Sequence, residues 1–432
     1  MWGRLGNRPL TLVAAAAAVL AVAACADDPI PKGRSLVEPP AAQPIGAAEL
    51  AGDRTLAPAV RAITDFGYRL YQQSSPASRN AVLSPLSIVT AFGMARAGAN
   101  GTTAAEIDAT FGFPPAGPHA ALNKLIRAID TGTGTPPKPA KRKPGEEPRP
   151  PVVSIANGLF VQNGFPLKDP FTHVVGEEYL AQAQGVDFTG PEATRVINGW
   201  VRQQTADRID KLFDSLDAST RLVLANAVYL KADWKVPFGK TPTMDKPFTR
   251  ADGSQVQASM MREAGHFRYA SGDGWQAVEL PYAGDTLAMW IMVPKAGTPP
   301  TGLLAPATLA AVAAGLQPSA VDVSLPRWDF GAKLDLTEQL TRLGMRATFA
   351  SGGDFSGIAD GVFLSDAIHR AAITVDEWGT EAAAVTGGAF AASASTPPAL
   401  TVRADHPFAF AIVHTATNTP LFIGHVADPT AR

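Results

Sequence analysis

The sequence predicts an α+β fold from three observations. Apolar residues recur at three- and four-residue spacing early in the chain, two apolar runs without alternation lie further on, and a hairpin pattern closes the C-terminus. Helical signals dominate the first half and strand signals the second. At 432 residues, 46% hydrophobic and 18% charged, the chain has apolar material for one large core and no signature of global disorder. A formal charge of −2 leaves no basic footprint, which argues against nucleic acid as a partner.

The N-terminus carries Arg4 and Arg8, an apolar run over residues 10–24, and then Cys25, the only cysteine. That run is too short to span a bilayer as a mature helix, so residues 1–24 read as an export signal. The local sequence Val22-Ala23-Ala24-Cys25 resembles a bacterial lipobox, in which Cys25 is lipidated and becomes the first mature residue. Residues 25–55, rich in Pro, Ala and Asp, read as a disordered tether. The expected protein is exported and either held by lipid on the outer face of the cell membrane or released. Without a second cysteine there is no intrachain disulfide.

A single domain is expected over residues 56–432. Val60, Ile63, Phe66, Gly67 and Leu70 predict the buried face of a first helix. Ser84-Pro85 announces a second, with serine as cap and proline in the first turn, running to about Gly98. Thr102 or Thr103 is expected to cap a third. Residues 131–151 are a proline-dense surface insertion that neither helix nor sheet tolerates; its Lys138, Lys141, Arg142 and Lys143 have Glu146 and Glu147 beside them.

A further helix is expected to bury Val196, Ile197, Trp200, Val201, Thr205 and Ile209. Residues 222–230 and 287–293 are apolar on both faces, as strands covered on both sides must be. Residues 371–375 read as another strand, and residues 408–413 and 421–426 as the closing hairpin. Between 375 and about 408 lies a long small-residue tract with no core of its own. Connections of that length are usually functional or disordered.

No G-x-S-x-G elbow, H-E-x-x-H helix, P-loop or G-x-G-x-x-G occurs, and the seven histidines lie far apart. The chain does not read as an enzyme, and no cofactor or metal is expected.

The chain resembles the serpin family of serine protease inhibitors from about Leu56 to Pro429. The blocks that carry the resemblance are residues 80–87 (NAVLSPLS) with 98–103 (GANGTT), residues 226–234 (NAVYLKADW) with Pro237 and Phe238, residues 279–282 (ELPY) and residues 321–326 (VDVSLP). His369, residues 377–386 (EWGTEAAAVT), residues 406–408 (HPF) and residues 421–424 (LFIG) follow in the family's order. The resemblance implies three β-sheets, eight or nine helices and an exposed reactive-centre loop that can insert into the largest sheet as an added strand.

The implied activity is irreversible, suicide-type inhibition of serine or cysteine endopeptidases by a monomer. The hinge is Glu377, Gly379, Thr380, Glu381, Ala382, Ala383 and Ala384, within a hinge and loop over residues 377–403. Thr380, Ala382, Ala384 and Thr386 share one parity and are small and uncharged, as a strand entering a close-packed interface requires. Counting from the hinge, with Gly379 fifteenth before the cut, places the reactive bond at Ser393-Ala394. Small neighbours there suit elastase-like or subtilisin-like proteases with a small or apolar primary pocket; Phe390 is the alternative bait, for a chymotrypsin-like enzyme. Insertion would add about a dozen backbone hydrogen bonds at roughly 1 kcal/mol each, on the order of 10 kcal/mol. It would also carry the acylated protease roughly 50 Å at 3.3 Å per residue.

Ser84, Ser87, Asn226 and His369 match residues that hydrogen-bond beneath the central strands, and Trp234 matches a tryptophan at the top of the opening. Trp378 departs from the family, which commonly has a polar residue there. The insertion at 131–151 falls where many relatives have a helix used in glycosaminoglycan activation, so no heparin-type activation is expected. The runner-up reading is a non-inhibitory relative, a cell-surface binding or structural protein whose loop is only a substrate.

Overall fold

The computed structural model describes residues 33–37, 43–50, 53, 55–131, 136, 146–239, 241–350, 352–364, 367–380 and 400–431. The chain opens with β1 (Arg34–Val37), α1 (Ala47–Leu50), α2 (Leu56–Ser74), β2 (Ala81–Leu83), α3 (Pro85–Gly98), α4 (Gly101–Phe111) and α5 (His119–Ile129). Then come β3 (Val152–Gln162), α6 (Asp169–Tyr179), β4 (Gln182–Val186), α7 (Glu192–Gln204) and β5 (Leu222–Asp233). A run of strands follows: β6 (Thr241–Thr249), β7 (Gln255–Gly272), β8 (Trp275–Pro281) and β9 (Leu287–Pro294). After a 3-10 turn come α8 (Pro306–Gly315), β10 (Gln317–Pro326), β11 (Trp328–Asp335), α9 (Leu336–Arg342) and β12 (Ile368–Val375). The last strands are β13 (Gly379–Thr380), β14 (Leu400–Arg403), β15 (Phe408–His414) and β16 (Thr419–Val426).

The described residues form an α+β fold on two hydrogen-bonded sheets. One has the order β1-β4-β3-β5-β13-β12-β11, and the other β14-β10-β7-β8-β9-β15-β16-β2 with β6 on β7. The two smaller sheets that the resemblance implies are joined here by β7. Its 18 residues pair with β10 and β6 along one stretch and with β8 along another.

Helix α3 runs between the sheets, touching β5 on one side and β16 on the other, and is buried along most of its length, so its apolar residues are not confined to one face. The first sheet is covered on its other face by α7, over a second cluster that holds Phe160, Val196, Ile197, Trp200, Ala225 and Ala227. Phe160 meets Trp200 edge to face at 5.5 Å. Covering on both faces explains why β5 reads as a continuous apolar run.

Several boundaries differ from expectation. Helix α4 begins at Gly101 with Asn100 before it, so neither Thr102 nor Thr103 caps; Thr103 Oγ1 instead accepts from Asp354 N at 2.9 Å. Helix α7 ends at Gln204, and Ile209 lies in the segment beyond it. Strand β14 stands before the expected hairpin. Helix α5 went unpredicted, and the proline-dense insertion follows it; its two cations are tied down, Lys124 to Asp53 at 2.7 Å and Arg127 to the Gln43 carbonyl at 2.7 Å. Part of the segment expected as a tether is built into the domain: β1 pairs with β4, and Leu50 is buried.

Candidate functional site

Strand β13 places the site. Gly379 and Thr380 lie between β5 and β12, with Gly379 opposite Asp233 and Thr380 opposite both Ala232 and Val375, antiparallel to each neighbour. Beyond Thr380 no further ladder pair joins β5 to β12 among the described residues. The two strands flank a lane, with cavities of about 20 and 40 Å³ beneath it. The larger one is lined in part by Ser87, Leu224, Asn226 and His369. Gly379 has φ +154°, and a Cβ there would stand 2.0 Å from the Ala232 carbonyl oxygen, so no other residue fits without moving β5.

At the top of the lane Trp234 is buried and stacks on Tyr282, with ring centroids 4.6 Å apart and planes 9° from parallel. Its Nε1 donates to the Asp376 carbonyl at 2.9 Å, and its backbone N–H to the Trp378 carbonyl at 2.7 Å. The Tyr282 hydroxyl meets Thr380 Oγ1 at 2.6 Å. Glu377 accepts from Arg327 Nε on both carboxylate oxygens at 2.8 Å and from the Thr243 hydroxyl. Asp376 Oδ1 accepts from the N–H groups of Trp378 at 2.8 Å and Gly379 at 3.3 Å. Burial pushes the Asp376 carboxyl up to about 7, with the Glu377 charge adding to the rise against those two bonds.

At the foot of the lane the start of α3 ties the strands together. His369 Nε2 accepts from Ser84 N at 3.1 Å, and Ser84 Oγ accepts from Ser87 N at 3.2 Å as the helix cap. The Ser87 hydroxyl donates to Asn226 Oδ1. Asn226 Nδ2 donates to Asn157 Oδ1 at 2.7 Å, and Asn157 Nδ2 to the Tyr179 carbonyl at 2.7 Å. One chain of bonds thus runs from β12 through α3 to β5, β3 and the end of α6. Burial lowers His369 to about 4, so its ring is neutral at ordinary pH and can accept.

The segment after α7 reaches across to β11 and β12. Arg208 Nη2 donates to Thr374 Oγ1 at 2.6 Å and Asp329 Oδ1 at 3.2 Å, and Asp214 pairs with Lys333 at 3.0 Å.

The structure therefore brings Ser84, Ser87, Asn226 and His369 into one network and gathers Trp234, Glu377, Gly379 and Thr380 in another. The remaining hinge residues Glu381, Ala382, Ala383 and Ala384, the reactive bond Ser393-Ala394, Phe390 and Cys25 lie outside the described residues. Sequence reasoning missed Arg327, Asp376, Asn157 and Arg208 as partners. Arg327 directly follows the block at 321–326 and Asp376 precedes the hinge, so adjacency was a usable signal for those two. Asn157 sits on an unpredicted strand, and Arg208 carries no local signal. Among the described residues no His, Cys, Asp and Glu cluster could hold a metal.

Residues 61–429 match the family described as Serpin (serine protease inhibitor). A serpin-like protein of Thermococcus kodakarensis is 35% identical over 383 residues, 86% of each chain. The leukocyte elastase inhibitor of Bos taurus is 34% identical over 367 residues, 81% of this chain and 93% of its own. Among solved structures, thyroxine-binding globulin in complex with thyroxine superposes with a TM-score of 0.74 at 26% identity, over 86% of this chain and 99% of that one. The chain belongs to the serpin family, whose members are mostly protease inhibitors rather than enzymes.

Proposed function

We propose that this chain is an irreversible inhibitor of serine endopeptidases, and also of cysteine endopeptidases, that act on small residues. The observation that carries the reading is β13: the loop has two residues seated as a strand at the mouth of a lane that no other described strand fills. Continuing its register would set Ala382 opposite Leu230 and Ile373, Ala384 opposite Val228 and Ala371, and Thr386 opposite Asn226 and His369. The small residues of the loop would then enter on the buried side already taken by Thr380, and the last of them would meet the network at the foot of the lane.

The chemistry belongs to the target. Its nucleophile attacks the Ser393 carbonyl carbon, the bond to the Ala394 nitrogen breaks with that nitrogen taking a proton, and Ser393 is left esterified or thioesterified to the protease. The freed strand fills the lane before water can hydrolyse that bond. The twelve residues of β5 match residues 379–390, which leaves 391–393 as a short link to the protease. Ala391, Ala392, Ala394 and Ser395 support a target with a shallow pocket, and similarity to a leukocyte elastase inhibitor points the same way. The apolar N-terminal run and its lipobox-like end support an exported chain tethered through Cys25.

Incubation with an elastase-like protease is expected to give an adduct that survives boiling in detergent, with the loop's C-terminal fragment beginning at Ala394 by mass. Clean cleavage without an adduct would favour the non-inhibitory reading, to which the likeness to thyroxine-binding globulin belongs.

A further inference from the structure

Away from the lane, the outer face of β14, β10 and β7 forms a recess. Register sets Arg403 beside Ser324 and Ser324 beside Arg262, while Val402, Val323 and Glu263 turn inward and are fully buried. The β6–β7 hairpin, the loop at 296–300 and Pro407 rise around this face and enclose a groove of about 720 Å³. That volume lies in the range of small-molecule sites.

The cations of the groove are of two kinds. Arg262 is held by Asp322 at 2.9 and 2.7 Å, and Arg250 by Asp428 at 2.6 Å. Lys246 and Arg403 are exposed and make no ion pair among the described residues, although the Arg403 charge, after that of His406, helps hold the Asp405 carboxyl low. Exposed apolar surface on Pro247 and Pro299 lines the same recess. Positive charge outside any ion pair, set in a concavity whose walls are partly apolar, complements a ligand that is negative at one end and apolar at the other.

We propose that this groove binds a small amphipathic organic anion, with its carboxylate, sulfonate or phosphate group at Lys246 and Arg403 and its apolar body against Pro247 and Pro299. The site takes in the C-terminal end of the loop segment through Arg403, in the other sheet from the lane. It includes the edge strand β14, which is only four residues long and pairs with β10 alone, so an occupant also braces that strand and raises the melting temperature of the protein.

The test is a fluorescence titration of the full chain with anilinonaphthalene sulfonate, an aromatic monoanion. Expected is one saturable site whose affinity falls about tenfold or more in the Lys246→Ser/Arg403→Ser variant, since a hydrogen bond to a charged group contributes about 1.5–3 kcal/mol. Both positions are exposed, so circular dichroism should show an unchanged fold. Lys124→Ser, at an apolar recess between α2 and α5, should bind as the parent does. Equal affinity in the double variant overturns the proposal, as does a loss in Lys124→Ser alone. Displacement of the probe by inorganic sulfate at equal concentration also overturns it, because the apolar half would then contribute nothing.

Discussion

Ser87 ties the start of α3 to β5: its N–H donates to Ser84 and its hydroxyl to Asn226. Ser87→Ala leaves Asn226 Oδ1 without that donor beside a narrow cavity, at a cost of about 1–3 kcal/mol. Calorimetry of the intact variant should show a melting temperature lower by roughly 1–4 °C for a domain of this length. His369 makes the same network sensitive to acid. Its folded pKa, about 4, lies below the unfolded value of 6.5, so it contributes stability that is present above 6.5 and lost as pH falls through 4. His369→Gln should therefore flatten the fall in melting temperature between pH 6.5 and 4; an unchanged slope would assign that fall to His414 and His425, which burial lowers in the same way. These positions were legible only through their place in blocks of family sequence. Taken alone, Ser84 is a helix cap and His369 a core histidine, and no spacing rule could have joined either to Asn157, since side-chain partners are set by the packing of three separate elements.

At the scale of elements, periodicity made α2 legible, a serine cap with proline in the first turn α3, unbroken apolar runs β5 and β9, and the turn composition between its strands the β15–β16 hairpin. Strand β14 escaped because four residues hold too few repeats, and β13 because two residues have no pattern at all. Its conformation comes from Asp233 and Ala232 on one side and Val375 on the other. Helix α5 did carry a signal in Leu122, Leu125, Ile126 and Ile129, all buried. The turn from β12 into β13 supplies its own prediction. Asp376 has its folded pKa raised to about 7, so its contribution to stability is present below the unfolded value of 3.8 and is lost as pH rises through 7. Asn at 376 keeps an oxygen for the Trp378 and Gly379 N–H groups and has no charge to bury. Asp376→Asn should therefore melt higher than the parent at pH 8 and close to it at pH 4, as scanning calorimetry across that range would show; a gain equal at both would place the effect outside the titration.

For the whole molecule, the decisive quantity is how much of the loop the lane can take while both of its ends are fixed. Thr380 is seated in one sheet and Leu400 in the other, where β14 pairs with β10 over four residues. Filling the lane to Phe390 moves the chain about 34 Å away from Thr380 at 3.4 Å per residue. The ten steps from Phe390 to Leu400 reach at most about 33–36 Å when fully extended. Nearly all of that length is used in returning to the level of Thr380, so the intact loop cannot fill the lane unless β14 detaches. A cut at the proposed bond, Ser393-Ala394, would remove the constraint. The gain on the order of 10 kcal/mol, against an unfolding entropy of about 2.1 cal/mol/K per residue, corresponds to a rise in melting temperature on the order of 10–15 °C. Nicked and intact protein compared by calorimetry should differ by that amount. Thr380→Arg supplies the control: Thr380 is 3% exposed against the Tyr282 hydroxyl, and an unpaired cation there would oppose entry of the strand. That variant should be cut by the target protease yet form no detergent-stable adduct and gain no thermal stability. If the nicked parent also melts where the intact one does, the loop never enters the lane and the inhibitory reading fails.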